Sequence, residues 1–213
     1  TYEDISNAAY AEKLVSICKD IGLRWEKIGT HEPLRAIYTD DLFYQYWATS
    51  KRAGISAESM TLYSNIFCSQ GRGSITLSAG WKISNPQKYS AINFHISRKV
   101  LSTRMAEFEK MFFYLIEIIK PDYAAICNWH FWLNSRGTYF QKIPLYQDIH
   151  WITYFSSNRL QEMNCSIDEL SWNKRTDLPQ GTVCYMCDYI PKDGDPIEAK
   201  CLEYRSLLWG VNV

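Results

Sequence analysis

Much of what would mark a function class is missing from this 213-residue chain. No apolar run approaches the roughly 20 residues that cross a bilayer, so no transmembrane helix is read. Charge of one sign is missing too: 23 basic residues face 23 acidic ones, and no net field draws the chain to nucleic acid or anionic lipid. Thr1 is followed by neither a basic n-region nor an apolar h-region, so no signal peptide is read. The seven cysteines have an odd count and no framework spacing, the usage of reduced thiols in cytoplasm. No repeat, low-complexity tract or linker appears, and one domain over residues 1–213 is the simplest account.

Catalytic signatures are scarce as well. There is no Gly-x-Ser-x-Gly elbow, and no cysteine is flanked like a catalytic thiol. Gln70-Gly-Arg-Gly-Ser74 lacks the phosphate-loop lysine and runs into a strand, so it reads as a turn. Cys184-x-x-Cys187 has zinc half-site spacing, but residues three apart on a strand point to opposite faces. Cys127-x-x-His130 fails in the same way. Small core residues, not metal ligands, are expected there. An enzyme would have to assemble its site from His95, His130, His150 and Glu109, which are dispersed. Lys51-Arg52, Arg72, Lys82 and Arg136 lie near aromatic residues, but zero net charge argues against a nucleic-acid surface.

What is present is pattern. Phe108, Met111, Phe112, Leu115, Ile118 and Ile119 form a helical stripe, and Pro121 stops it. Asp122 to Trp132 is aromatic and strand-like. Tyr10, Leu14, Ile17, Cys18 and Ile21 make an earlier stripe, closed by Gly22. Residues 30–60 read as irregular, with a short helix at Asp40–Trp47 as an option. Ile75, Leu77, Ala79, Trp81 and Ile83 alternate with polar residues, as do Ile92, Phe94 and Ile96, so an antiparallel hairpin turns at Asn85-Pro86. Thr182 to Cys187 is apolar on both faces and belongs centrally in a sheet. Asp195 and Pro196 open a last helix carrying Ile197, Cys201, Tyr204 and Leu208 inward.

The expected fold is therefore α+β. A largely antiparallel sheet of about five strands (74–83, 90–97, 122–132, 148–156 and 181–189) is covered by helices near 7–21, 103–120 and 196–209. Aromatics at 15% are abundant, and those not placed inward gather in the 133–147 loop. There Tyr139, Phe140 and Tyr146 surround Arg136, residue types enriched at protein interfaces. Folding back onto the core is the equal alternative for these rings.

The order of elements resembles the immunity proteins of bacterial polymorphic-toxin systems, in particular the family numbered fifty-two. The residues that carry the likeness are Pro121-Asp122-Tyr-Ala124, Trp151-Ile-Thr-Tyr154, and Gly181-Thr182 leading to Asp195-Pro196. They span the last half of the chain, with Trp25 and the first helix in support. His150 stands where the family has a glycine before its tryptophan.

The resemblance implies a cytoplasmic antidote with no catalytic role; no cofactor or metal is expected from the residues themselves. Its partner would be a cognate toxin encoded by a neighbouring gene, a nuclease similar to restriction endonucleases, delivered by a type VI or similar contact-dependent system. It transfers no binding residues; Arg136, Tyr139, Phe140 and Tyr146 come from the loop's composition alone. A small-molecule or regulatory binding module is the alternative of another class, and a dispersed-site enzyme a third.

Overall fold

The structure, a computed structural model, describes residues 1, 5–30, 33–48, 66–80, 90–128, 130–131 and 147–210. The chain falls into two compact units, Thr1–Lys120 and Pro121–Val213. The class is α+β, and every strand pairing is antiparallel.

The first unit runs α1 (Ala8–Asp20), β1 (Lys27–Gly29), β2 (Ala36–Ile37), α2 (Asp40–Ala48), β3 (Ile66–Gln70), β4 (Ile75–Gly80), β5 (Ala91–Ile96) and α3 (Arg98–Ile119). Its sheet has the order β2-β1-β3-β4-β5. The inward strand residues Ile28, Ile66, Cys68, Ile75, Leu77 and Ala79 share one core with Leu14, Ile17, Cys18, Phe43, Trp47, Phe108 and Met111 from the helices. Asn7 caps α1 by accepting from the Ala9 N–H. Arg104, at a non-helical kink in α3, donates to the Ile21 carbonyl at the end of α1 and lies over the Phe108 ring. That guanidinium satisfies a terminal carbonyl that α1 leaves open. Lys120 closes α3 in the left-handed region and donates to Ile116 O at 3.0 Å. Pro121 follows, as the sequence stop signal requires.

The second unit runs β6 (Tyr123–Ile126), β7 (Ile152–Ser156), α4 (Ser157–Gln161), a 3₁₀ turn at Ile167–Glu169, β8 (Lys174–Leu178), β9 (Gly181–Tyr185) and α5 (Ile197–Trp209). Its sheet has the order β6-β7-β9-β8. Phe155, Ile167, Cys184, Met186, Cys201, Tyr204 and Leu208 build a separate core. The 3₁₀ turn carries a reciprocal capping box between Ser166 and Glu169.

The five strands read from the sequence are shared between two sheets, and β1, β2, β3 and β8 join them. The strand expected over 122–132 ends at Ile126. Beyond it the Asn128 side chain accepts from the His130 and Phe131 N–H groups at 2.9 and 3.3 Å, a side-chain cap that opens a helical turn instead. The end of the expected 74–83 strand lies outside the described residues, and so does the Asn85-Pro86 turn.

Candidate functional site

Polar side chains buried within the second unit gather where the chain returns from residue 146. Asp148 lies four residues before β7 on that side, and Arg205 comes from α5. Arg205 Nη1 lies 3.3 Å from Asp148 Oδ1, and both side chains are 2% exposed. Burial of an ion pair at this depth costs each ion its hydration, which only close geometry and further hydrogen bonds offset. Two residues on, His150 is also buried, and its backbone is locked by Thr153. Thr153 Oγ1 accepts from His150 N at 2.9 Å and donates to His150 O at 3.2 Å. The indole of Trp151 donates to Cys187 O at 3.2 Å, and Met186 N donates to Trp151 O at 2.9 Å.

The other flank of the 132–146 stretch is held equally well. Asn128 caps the turn at residues 130–131, and its amide nitrogen donates to Asp193 Oδ1 at 2.6 Å. Phe131 is buried in the unit's core. Its ring meets the His150 ring edge-to-face with centroids 6.0 Å apart. The two ends of the stretch are thus neighbours, each anchored by buried groups. Arg136, Tyr139, Phe140 and Tyr146 themselves lie outside the described residues.

The scattered catalytic pieces are not gathered into one unit. His95 (on β5, opposite Thr76) and Glu109 (on α3) belong to the first unit, while His130 and His150 belong to the second. His130 is exposed, whereas His150 is buried.

The thiols give a clearer chemical statement. All seven are free. Burial pushes those of Cys18, Cys184 and Cys201 up to about 12. Cys127 keeps an exposed surface, yet the protein crowded around it, with the Asp148 carboxylate second, pushes its thiol up to about 12. Cys68, Cys165 and Cys187 are raised as well, each chiefly by desolvation. Such thiols stay protonated at neutral pH, and thiolate is the form that attacks or ligates.

Cys184 lies within β9, but the strand ends at Tyr185, so the alternation argument does not reach Cys187. That thiol instead donates to Tyr189 O at 3.2 Å. Among the described residues no group of three or more His, Cys, Asp or Glu side chains is placed to hold a metal ion. No helix among them is long and apolar enough to cross a membrane.

These raised values predict alkaline lability. A thiol that titrates near 9.0 when unfolded and at about 12 when folded binds its proton more tightly in the native state. Its stabilisation is complete below the unfolded value and is lost as the pH climbs toward 12. Tyr154, pushed up to about 12 mainly by burial, acts in the same direction. The urea midpoint should therefore fall between about pH 8 and about pH 10.5. An unchanged midpoint would show that these groups titrate alike folded and unfolded.

No family model matches the chain, and neither does any curated protein or solved structure.

Proposed function

We propose that the chain is a cytoplasmic antidote of the immunity-protein kind, binding one cognate toxin through Arg136, Tyr139, Phe140 and Tyr146 of the 133–147 loop. One observation carries the reading: the described residues on either side of the stretch richest in interface-type residues pack together, the Phe131 ring meeting the His150 ring with centroids 6.0 Å apart. Binding residues held on loops between rigid elements lose little entropy from the scaffold when a partner docks. Residue usage in the loop and the resemblance in the order of elements support the same partner class. Seven free, protonated thiols suit a reducing compartment.

Inhibition here works through a mixed aromatic and polar interface that caps the toxin's active site or holds it in an inactive arrangement. Acidic mimicry of nucleic acid has little to work with. No acidic run exceeds two residues; one such run, Asp40-Asp41, opens α2, and Asp40 is engaged by Lys19. Those carboxylates serve the positive end of a helix.

Co-purification with the product of the adjacent gene is the direct experiment. Tyr139→Ala or Phe140→Ala should weaken binding by at least about 30-fold, the loss typical of a central interface ring, with the melting midpoint nearly unchanged. Wild-type affinity in both variants would remove this loop from the interface. Binding that collapses with rising salt and with Asp40→Asn plus Asp41→Asn would favour mimicry instead.

A further inference from the structure

β5 is an edge strand that carries none of the features that keep edges apart. It pairs with β4, and no described strand lies on its other side. A row of open N–H and C=O groups invites another strand, so exposed edges are blunted by shortness or by charge. β2 is two residues long, and β8 carries Lys174, Arg175 and Asp177. Ala91–Ile96 is six residues long, more than β2, β6 or β8, and contains no proline and no Lys, Arg, Asp or Glu.

Register shows which backbone groups are open. Ser97 N donates to Ser74 O at 2.7 Å, so residues 91, 93 and 95 bond to β4 and the residues between them turn outward. Ser90 belongs to the outward set and is taken by Thr1. Ser90 N donates to Thr1 O at 2.7 Å, and Thr1 N to Ser90 O at 3.0 Å. The row continues through Ile92, Phe94 and Ile96, whose outward N–H and C=O groups have no partner among the described residues. Their side chains are only partly buried against the first unit's core, as are Val100 and Leu101 on the first turn of α3.

We propose that β5 pairs antiparallel with β5 of a second copy, about a two-fold axis at Phe94. That axis sets Phe94 opposite Phe94, Ile92 opposite Ile96, and Asn93 opposite His95. The register uses every open group of the row and stops at the position that Thr1 holds. Two-fold registers centred elsewhere leave part of the row unpaired. Ring meets ring and β-branched meets β-branched on the core side, while an amide meets an imidazole on the solvent side, where His95 is exposed. The inference stands apart from the antidote reading and needs no toxin to test.

Sedimentation equilibrium of the full chain should show a dimer at about 100 μM. On dilution to the monomer, the amides of Ile92, Phe94 and Ile96 should exchange at least about tenfold faster. Two charged variants test the register through the solvent face: Asn93→Lys with His95→Lys, and Asn93→Glu with His95→Glu. Each alone sets like charges directly opposite and should dimerise at least about 30-fold more weakly than wild type. An equimolar mixture of the two sets opposite charges across the axis and should regain the dimer. A wild-type chain that stays monomeric at about 100 μM would overturn the proposal. So would protection of these amides only when the toxin is added, because the edge would then belong to the toxin. A dimer unweakened in both variants would overturn it too, since another surface would hold the copies together. The same holds for a mixture that stays monomeric while both variants melt like wild type.

Discussion

Replacing Arg205 alone by Met will lower the melting midpoint of the full chain by roughly 10 °C. The side chain is 2% exposed, and its partner Asp148 is equally buried. Truncating the cation leaves a carboxylate in a region without bulk water, and removal of one member of such a pair costs about 3–5 kcal/mol. The loss comes from the stranded charge more than from the missing attraction, so Asp148→Asn, which leaves a guanidinium that cannot shed its proton, should cost at least as much as Arg205→Met, whose carboxylate can take one up. Thermal melts of the two single variants check this order. Equal, small shifts in both would mean that water reaches the pair.

Gly181→Ala is expected to cost about 2–3 kcal/mol, from overpacking against backbone that cannot yield cheaply. A Cβ on Gly181 would sit 2.1 Å from the Phe155 carbonyl oxygen, 2.8 Å from Ser156 Cα and 2.9 Å from the Tyr154 ring. Two of these three are main-chain atoms of β7, the central strand between β6 and β9. Relief would need the β7–β9 ladder to part at the Ser156–Gly181 pair. The Tyr154 hydroxyl, which donates to Gln180 O at 2.9 Å, would lose its position as well. Urea titration of the variant measures the loss. A midpoint equal to wild type would mean that the two strands can separate locally without cost.

The elements with a strong period were legible from the sequence. Leu14, Ile17 and Cys18 on α1, and Phe108, Met111 and Phe112 on α3, are buried as their spacing requires. Ile75, Leu77 and Ala79 point inward on β4, as alternation implies. What alternation cannot supply is the partner. It assigns faces to a strand but does not say which strand lies beside it, and five strands read into one sheet are divided between two.

β8 carries no legible pattern for a different reason. Lys174, Arg175 and Asp177 are exposed, so no apolar pattern marks the strand. It is held by its ladder to β9, by Arg175 bridging Asp168 and Asp177, and by Lys174 over the Tyr185 ring. β1 and β2, with three and two residues, are too short to carry a period.

Of the candidate site, composition marked the loop but not its supports. Arg205 was visible in principle, because it falls four residues after Cys201 and three before Leu208, on the buried stripe of α5. A charge on an inward stripe signals a buried partner, yet the sequence cannot say that Asp148, far away in the chain, is that partner. Asn128 was hidden likewise, since its cap competes with a run of residues that otherwise favours strand.

The anchoring of Phe131 and Asp148 also bears on how such a chain can change over generations. The buried contacts described at this part of the chain lie at Phe131 and Asp148, where a substitution removes a ring contact or an ion pair. On the antidote reading, the interface between these points changes with its partner while selection on stability holds Phe131 and Asp148. Variation among natural or laboratory descendants should concentrate between the two anchors and stop abruptly at each.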